Sequence, residues 1–207
     1  MSEYSEYDYS SKSPCHTFFY ILGPLVTMLD MDVNKCILDL GCGNGAIANH
    51  LISLGYNVYG ADASESGIAI AREQNPDRFF IQDLSTGELP DELRGIKFDT
   101  IISTEVIEHL YDPYKFIEFC SKVLAASNGE LILSTPYHGY LKNLVLGIFN
   151  KWDGHYDPLW QGGHIKFWSV KSLTRLLNQY NFKVTDFKGC GRLPYLWMSM
   201  LVKAKLS

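Results

Sequence analysis

Three glycines and a carboxylate share the segment ILDLGCGNGAIA, residues 37 to 48: Asp39 stands at the mouth of a loop that carries Gly41, Cys42, Gly43 and Gly45. Glycines let a backbone come close to a ligand, and the helix expected over AIANHLISLG would aim its free amides at the same place. The pattern Gly41-x-Gly43-x-x-Ala46 also satisfies a relaxed dinucleotide fingerprint. A pyrophosphate there would be repelled by Asp39, whereas a cation would be attracted. A ligand with an adenosine half and an ammonium-bearing half therefore suits the loop better than NAD, and S-adenosylmethionine is such a ligand.

Proton transfer at neutral pH calls for histidine. Of the six histidines, His109 follows the apolar run FDTIIST, while His138, His155 and His164 lie within or at the edge of residues 137 to 164. His109 and His164 are the candidate catalytic groups. Each has a structural alternative: a turn histidine bonded to backbone for His109, and the end of the insertion for His164. Glu105 and Glu108 precede His109 in a Glu-x-x-Glu-His string. Glu108 also reads as a plain surface charge.

The elements that must position these groups alternate. Apolar runs CILDL, NVYGAD, RFFIQD, FDTIIST and ELILSTP are separated by segments of helical periodicity. In DPYKFIEFCSKVLAASNG, Asp112 can cap, Pro113 suits the first helical position, and Asn128-Gly129 supplies the stop. A helix near residues 15 to 29 should kink or divide at Gly23-Pro24. Strands joined this way form a parallel sheet with helices on both faces, and ligands lie beyond the strands' carboxyl ends. The final runs FKVTDFKG and YLWMSMLVKAK have only a short link, so they should pair antiparallel.

With 207 residues, 46% hydrophobic and 20% charged, the chain fits one filled core. Residues 1 to 14 read as a flexible lead and 15 to 207 as one domain. Residues 137 to 164 are too long for a plain connection and read as a lid or recognition element. Tyr137, His138, Trp152 and Trp160 there are candidate acceptor contacts, with packing beneath a loop as the alternative. A net charge of −5 without a basic cluster argues against nucleic acid. No signal peptide or membrane span is expected, and the five dispersed cysteines read as reduced thiols, so the expected location is cytoplasmic. YLKNLVLGIFNKW could line an apolar channel, rest on a lipid surface or enter a dimer interface. Monomer and homodimer both stay open.

ILDLGCGNGAIA, followed by VYGADAS, FIQDL, FDTIISTEVIEHL and LILSTP in order, resembles the motif series of class I S-adenosylmethionine-dependent methyltransferases. Within them it is similar to the ubiquinone-biosynthesis O-methyltransferase type. The resemblance implies a Rossmann-like, doubly wound α/β fold with a C-terminal antiparallel hairpin. It implies that Gly41, Cys42, Gly43 and Gly45 lie against methionine and ribose, and that Asp39 serves the ammonium. Asp62, with Ala63, would take the ribose hydroxyls. Asp83 would accept from the adenine amino group beside Leu84, and Thr104 and Glu105 would border the methionine. Asp62 and Asp83 have alternatives as cap and turn residues. The expected function is methyl transfer to an oxygen of a small, aromatic or lipid-like acceptor.

Glu105, Glu108, His109 and His164 together also resemble the divalent-metal site of small-RNA 2′-O-methyltransferases and of some quinone O-methyltransferases. No metal is expected, because the EVIEH string also occurs in metal-free relatives. The alternatives are a metal-dependent RNA 2′-O-methyltransferase and a non-catalytic S-adenosylmethionine-binding module.

Overall fold

The structure, a computed structural model, describes residues 9 to 11 and 13 to 207. Seven strands form one sheet: β1 (Ile37–Leu40), β2 (Val58–Asp62), β3 (Phe79–Ile81), β4 (Thr100–Thr104), β5 (Glu130–Pro136), β6 (Phe182–Cys190) and β7 (Ser199–Leu206). Their order is β3-β2-β1-β4-β5-β7-β6, parallel up to β5 and antiparallel thereafter. This is the expected doubly wound α/β fold with its terminal hairpin. From β1 the chain winds outward to β3, then returns to place β4 on the other side of β1. That switch point opens a crevice beyond the ends of β1 and β4.

Among the described residues, seven helices cover the faces: α1 (Phe18–Val26), α2 (Ala46–Ser53), α3 (Glu65–Arg72), α4 (Pro113–Leu124), α5 (Tyr140–Ile148), α6 (Trp152–Tyr156) and α7 (Val170–Gln179). Strand side chains alternate between faces, so neighbouring apolar residues enter different cores. Leu38, Ile101 and Leu131 pack with Phe116 and Ile117 of α4 and Leu173 and Leu177 of α7. Ile37, Ile102 and Ile132 pack with Ile21 and Leu25 of α1, Leu51 of α2 and Ile68 of α3. Continuous apolar runs such as ILDL and TIIST serve both layers at once.

Local signals act as expected at α4, where Asp112 accepts from Lys115 N at 3.1 Å and Pro113 opens the helix. Ser169 and Ser172 form a reciprocal capping pair at α7. Pro24 does not divide α1, which runs through it as one short helix and ends at Val26. Proline removes one hydrogen bond there, and the burial of Ile21 and Leu25 outweighs that loss. The long insertion folds into α5 and α6. Among the described residues, no helix is long and apolar enough to cross a membrane.

Phe116 is 2% exposed inside the α4–α7 core. Phe116→Ala should cost about 3–5 kcal/mol in a urea titration; a loss below 1 kcal/mol would show that this layer is loosely packed.

Candidate active site

Gly41, Gly43 and Gly45 all have left-handed backbones, with φ of 75°, 55° and 73°. The chain therefore turns sharply out of β1 before α2 begins, with Gly45 at the helix N-cap. Asp62 fastens this turn. Its Oδ2 accepts from Gly43 N and its Oδ1 from Ser64 N, both at 2.8 Å. Ser64, rather than Asp62, caps α3 by accepting from Gly67 N. Ala63 lies in the turn between them. A carboxylate bonded to two amides keeps lone pairs for further donors.

Asp39 sits in the middle of the sheet, paired in register with Gly60 and Ile102, and is 1% exposed. Among the described residues its Oδ1 has no hydrogen-bond partner. Burial, reinforced by the nearby Asp62, pushes its carboxyl up to about 8. Cys42 lies beside the same two acids, and burial holds its thiol well above the usual range. Such a carboxylate lacks a donor, so the loop suits a ligand that brings a positive charge.

One contributor was invisible in the sequence. Tyr9 N donates to Ser66 Oγ at 3.0 Å, and Asn44 Nδ2 donates to the carbonyls of Ser11 and Ser13 at 3.2 and 3.0 Å. The Tyr9 hydroxyl rests on the glycine loop, where a β-carbon on Gly43 would stand 2.4 Å from it. The expected flexible lead thus has a part fastened over the loop, while residues 1 to 8 and 12 lie outside the described residues. Its polar, tyrosine-rich composition carried no such signal.

At the end of β4, Thr104 leads into Glu105, whose φ of 56° is unusual for a side chain of that size. Glu105 Oε1 accepts from Ser134 Oγ at 2.8 Å and Oε2 from Ser199 Oγ at 3.2 Å. Burial raises this carboxyl to about 7 against the opposing pull of the two serines. Asp83 accepts from Ser85 N and caps a short turn at Leu84–Thr86, its structural alternative, and Leu84 packs on the α4–α7 core.

Glu108 corrects one sequence reading. It is 0% exposed rather than a surface charge; among the described residues neither of its side-chain oxygens makes a hydrogen bond, though the Thr135 hydroxyl lies close enough to favour its charged form. Its backbone carbonyl accepts from Ile165 N and Lys166 N, which ties the end of the insertion to the β4–α4 loop. His109 Nε2 and His164 Nε2 each lie 4.0 Å from Glu108 Oε1. The two imidazoles are 4.9 Å apart between ring centres, with Trp160 edge-on to both.

His109 Nδ1 faces the Gly162 carbonyl at 2.8 Å, so it must be the protonated nitrogen, and Nε2 keeps its lone pair. Burial lowers both histidines, His164 to about 4, which keeps them neutral near pH 7. The candidate metal-ligating atoms of Glu108, His109 and His164 lie within 4.8 Å of one another. A partnerless buried carboxylate with two neutral imidazoles fits a divalent cation. Glu105 is turned away to its serines, so three of the four residues singled out in the sequence converge.

The expected acceptor contacts separate into different settings. Trp160 joins the histidine pair. His138 stacks on Tyr156, and Trp152 stacks on the same tyrosine at 4.6 Å. Phe167 closes this nest edge-on to His138. Tyr137 belongs to the main core and packs against Trp197 at 5.1 Å, the structural alternative for that ring.

A family model described as "Methyltransferase domain" matches residues 19–186. The chain is 31% identical over 161 residues to the ubiquinone biosynthesis O-methyltransferase of Dinoroseobacter shibae, covering 74% of this chain and 62% of that one. It is 30% identical over 168 residues to the protein of the same name from a Ruegeria species, covering 78% and 65%. The chain thus spans just under two thirds of these curated relatives. Among solved structures, the magnesium protoporphyrin IX methyltransferase of Synechocystis PCC 6803, with bound SAH, superposes with a TM-score of 0.66 at 22% identity, covering 90% of this chain and 82% of that one.

Buried Asp39 also makes a pH-dependent contribution to stability. The folded chain holds its proton up to about pH 8, against 3.8 for an ordinary aspartate, so unfolding releases a proton between those values. Its stabilising share is complete below about pH 4 and falls as pH rises toward 8. Ligand-free Asp39→Asn, with no proton to lose, should show a smaller drop in melting temperature between about pH 5 and pH 8 than the unaltered chain. An equal drop in both proteins would contradict the burial of this charge.

Proposed function

This chain belongs to the methyltransferase-domain family, and on that premise we propose that it transfers a methyl group from S-adenosylmethionine to an oxygen of a small aromatic or lipid-like acceptor. The observation that carries this reading is the buried Asp39 carboxylate, one oxygen without a donor, at the root of three left-handed glycines. The O-methyltransferase names of the Dinoroseobacter and Ruegeria relatives support oxygen as the accepting atom.

S-adenosylmethionine supplies a methyl group on a sulfonium and leaves as a neutral thioether. The chain's task is therefore mainly alignment and proton handling. Asp39 receives the ammonium, whose charge offsets the cost of burying the carboxylate. Asp62 turns its remaining lone pairs to the ribose hydroxyls while its amide bonds keep the glycine loop in shape. Tyr9 lies against that loop and narrows the space above Gly43. His109 holds an unprotonated Nε2 beside Glu108 and receives the acceptor's hydroxyl proton. Trp160 and the His138–Tyr156–Trp152 nest offer aromatic faces to an aromatic acceptor. A nucleic-acid acceptor is disfavoured by the net charge of −5.

The unpartnered Glu108 favours a second reading of the chemistry at the same place. Glu108, His109 and His164 would hold a divalent cation such as Mn²⁺ or Zn²⁺, which lowers the pKa of a bound hydroxyl and orients it. In that case His109 and His164 orient the acceptor rather than take its proton.

Calorimetry with S-adenosylhomocysteine tests the cofactor reading. Micromolar binding is expected, weakened about a hundredfold or more by Asp62→Ala, since two hydrogen bonds to a charged group are lost. Unchanged affinity would remove Asp62 from the ribose. For the chemistry, His109→Gln should lower turnover of a catechol far more than cofactor affinity, and a loss of turnover on chelation that manganese or zinc restores would favour the cation reading. Full turnover in chelator leaves His109 as the base without a metal.

A further inference from the structure

A cavity of about 330 Å³ lies between α5 and the turn that joins β6 to β7. Its walls are Val145 and Leu146 on one side and Leu193 and Leu196 on the other, with Lys142 and Arg192 supplying the charge. Lys142 is 4% exposed, and its Nζ donates to the Met198 carbonyl at 3.3 Å. Among the described residues, neither Lys142 nor Arg192 forms an ion pair. Lysine is almost never buried this far unless paired, and an ammonium has three donors where this one uses a single long bond. Burial and the neighbouring Arg192 act against the charged form and, although the Glu105 carboxyl favours it, lower Lys142 to about 8.

Arg192 is held with φ of 43°, in the left-handed region that a non-glycine residue occupies at some cost. Two cations converging on an apolar cavity, one deeply buried and one on a strained turn, require an explanation beyond capping a carbonyl. The cavity also adjoins the reacting groups through the chain. Met198, whose carbonyl binds Lys142 and Tyr137 N, directly precedes Ser199, which holds Glu105. The charge of Lys142 reaches His138, His155 and His164 as well, lowering each of them after the larger effect of burial.

We propose that this cavity is the recognition site for the acceptor, and that it takes a molecule carrying an acidic group on an apolar body, the acid being held by Lys142 and Arg192. The inference rests on the methyl-transfer reading for the ligand's role, but not for its binding. An anionic membrane surface does not satisfy the geometry, because a buried ammonium is reached only by a molecule that enters. Carboxylate and phosphate present the same chemistry to Lys142 and Arg192. The apolar walls exclude a small, fully hydrated anion as a sufficient ligand, since burying it without an apolar body returns nothing for the water removed.

The test uses decanoate, decyl phosphate and decanol, titrated calorimetrically into the full chain with and without saturating S-adenosylhomocysteine. Both acids are expected to bind about ten- to a hundredfold more tightly than decanol, the range of a hydrogen bond to a charged group. Their order identifies which acid the site prefers. Lys142→Met and Arg192→Gln should each erase most of that difference while decanol binding persists. The comparison of the three ligands on the unaltered chain needs no variant, and Arg192 lies on an exposed turn, so misfolding of Lys142→Met would not decide the matter. Equal binding of acids and decanol, or an acid preference untouched by either substitution, overturns the proposal. Absence of S-adenosylhomocysteine binding with an intact acid preference would instead overturn the methyl-transfer reading and keep the site.

Discussion

The carboxylate of Asp62 is the joint on which the crevice depends. One oxygen holds the amide of Gly43 and the other holds that of Ser64, so a single side chain fixes the exit of β1 against the exit of β2. The loop could not keep three left-handed residues in place by local preference alone, because glycine gains freedom in every direction. Once the loop is fixed, Tyr9 has a surface to rest on, and Asn44 can hold the backbone of Ser11 and Ser13. Asp39 Oδ1 is also left without a hydrogen-bond donor among the described residues.

Costly features gather at the carboxyl edge of the sheet. Asp39, Glu105 and Glu108 are buried acids, all held above their ordinary range by loss of water, and Lys142 is a buried base pushed down by the same cause. Glu105 adds a left-handed backbone. The two cores are filled mainly by Ile, Leu, Val and Phe. Strain and unsatisfied charge are tolerated where a ligand can repay them, supported by packing elsewhere.

The insertion after β5 contributes two chemically different walls. Its last residues bring Trp160 and His164 against His109, fastened by the Glu108 carbonyl through Ile165 and Lys166. Its first helix brings Lys142, Val145 and Leu146 against the β6–β7 turn. An imidazole and carboxylate cluster therefore lies on one side, and an apolar cleft with two cations on the other. A segment that reads in the sequence as one lid or recognition element thus forms two chemically different walls.

The sequence by itself determined the parallel sheet, its terminal hairpin and the glycine loop, because these follow from short-range rules: apolar runs of strand length, caps such as Asp112 and Ser169, and glycine where φ turns positive. It also singled out His109 and His164, which the fold brings together beside Glu108. It did not separate Asp83 in its turn from Asp83 on a ligand, since both roles use the same residue at a strand end. Only the tertiary structure decided that Glu108 is buried rather than exposed, that Glu105 turns to Ser134 and Ser199, that Tyr9 lies on Gly43, and that Lys142 meets Arg192. Each of these joins residues far apart in the chain, and burial and charge pairing depend on what the fold brings alongside, which no local pattern records.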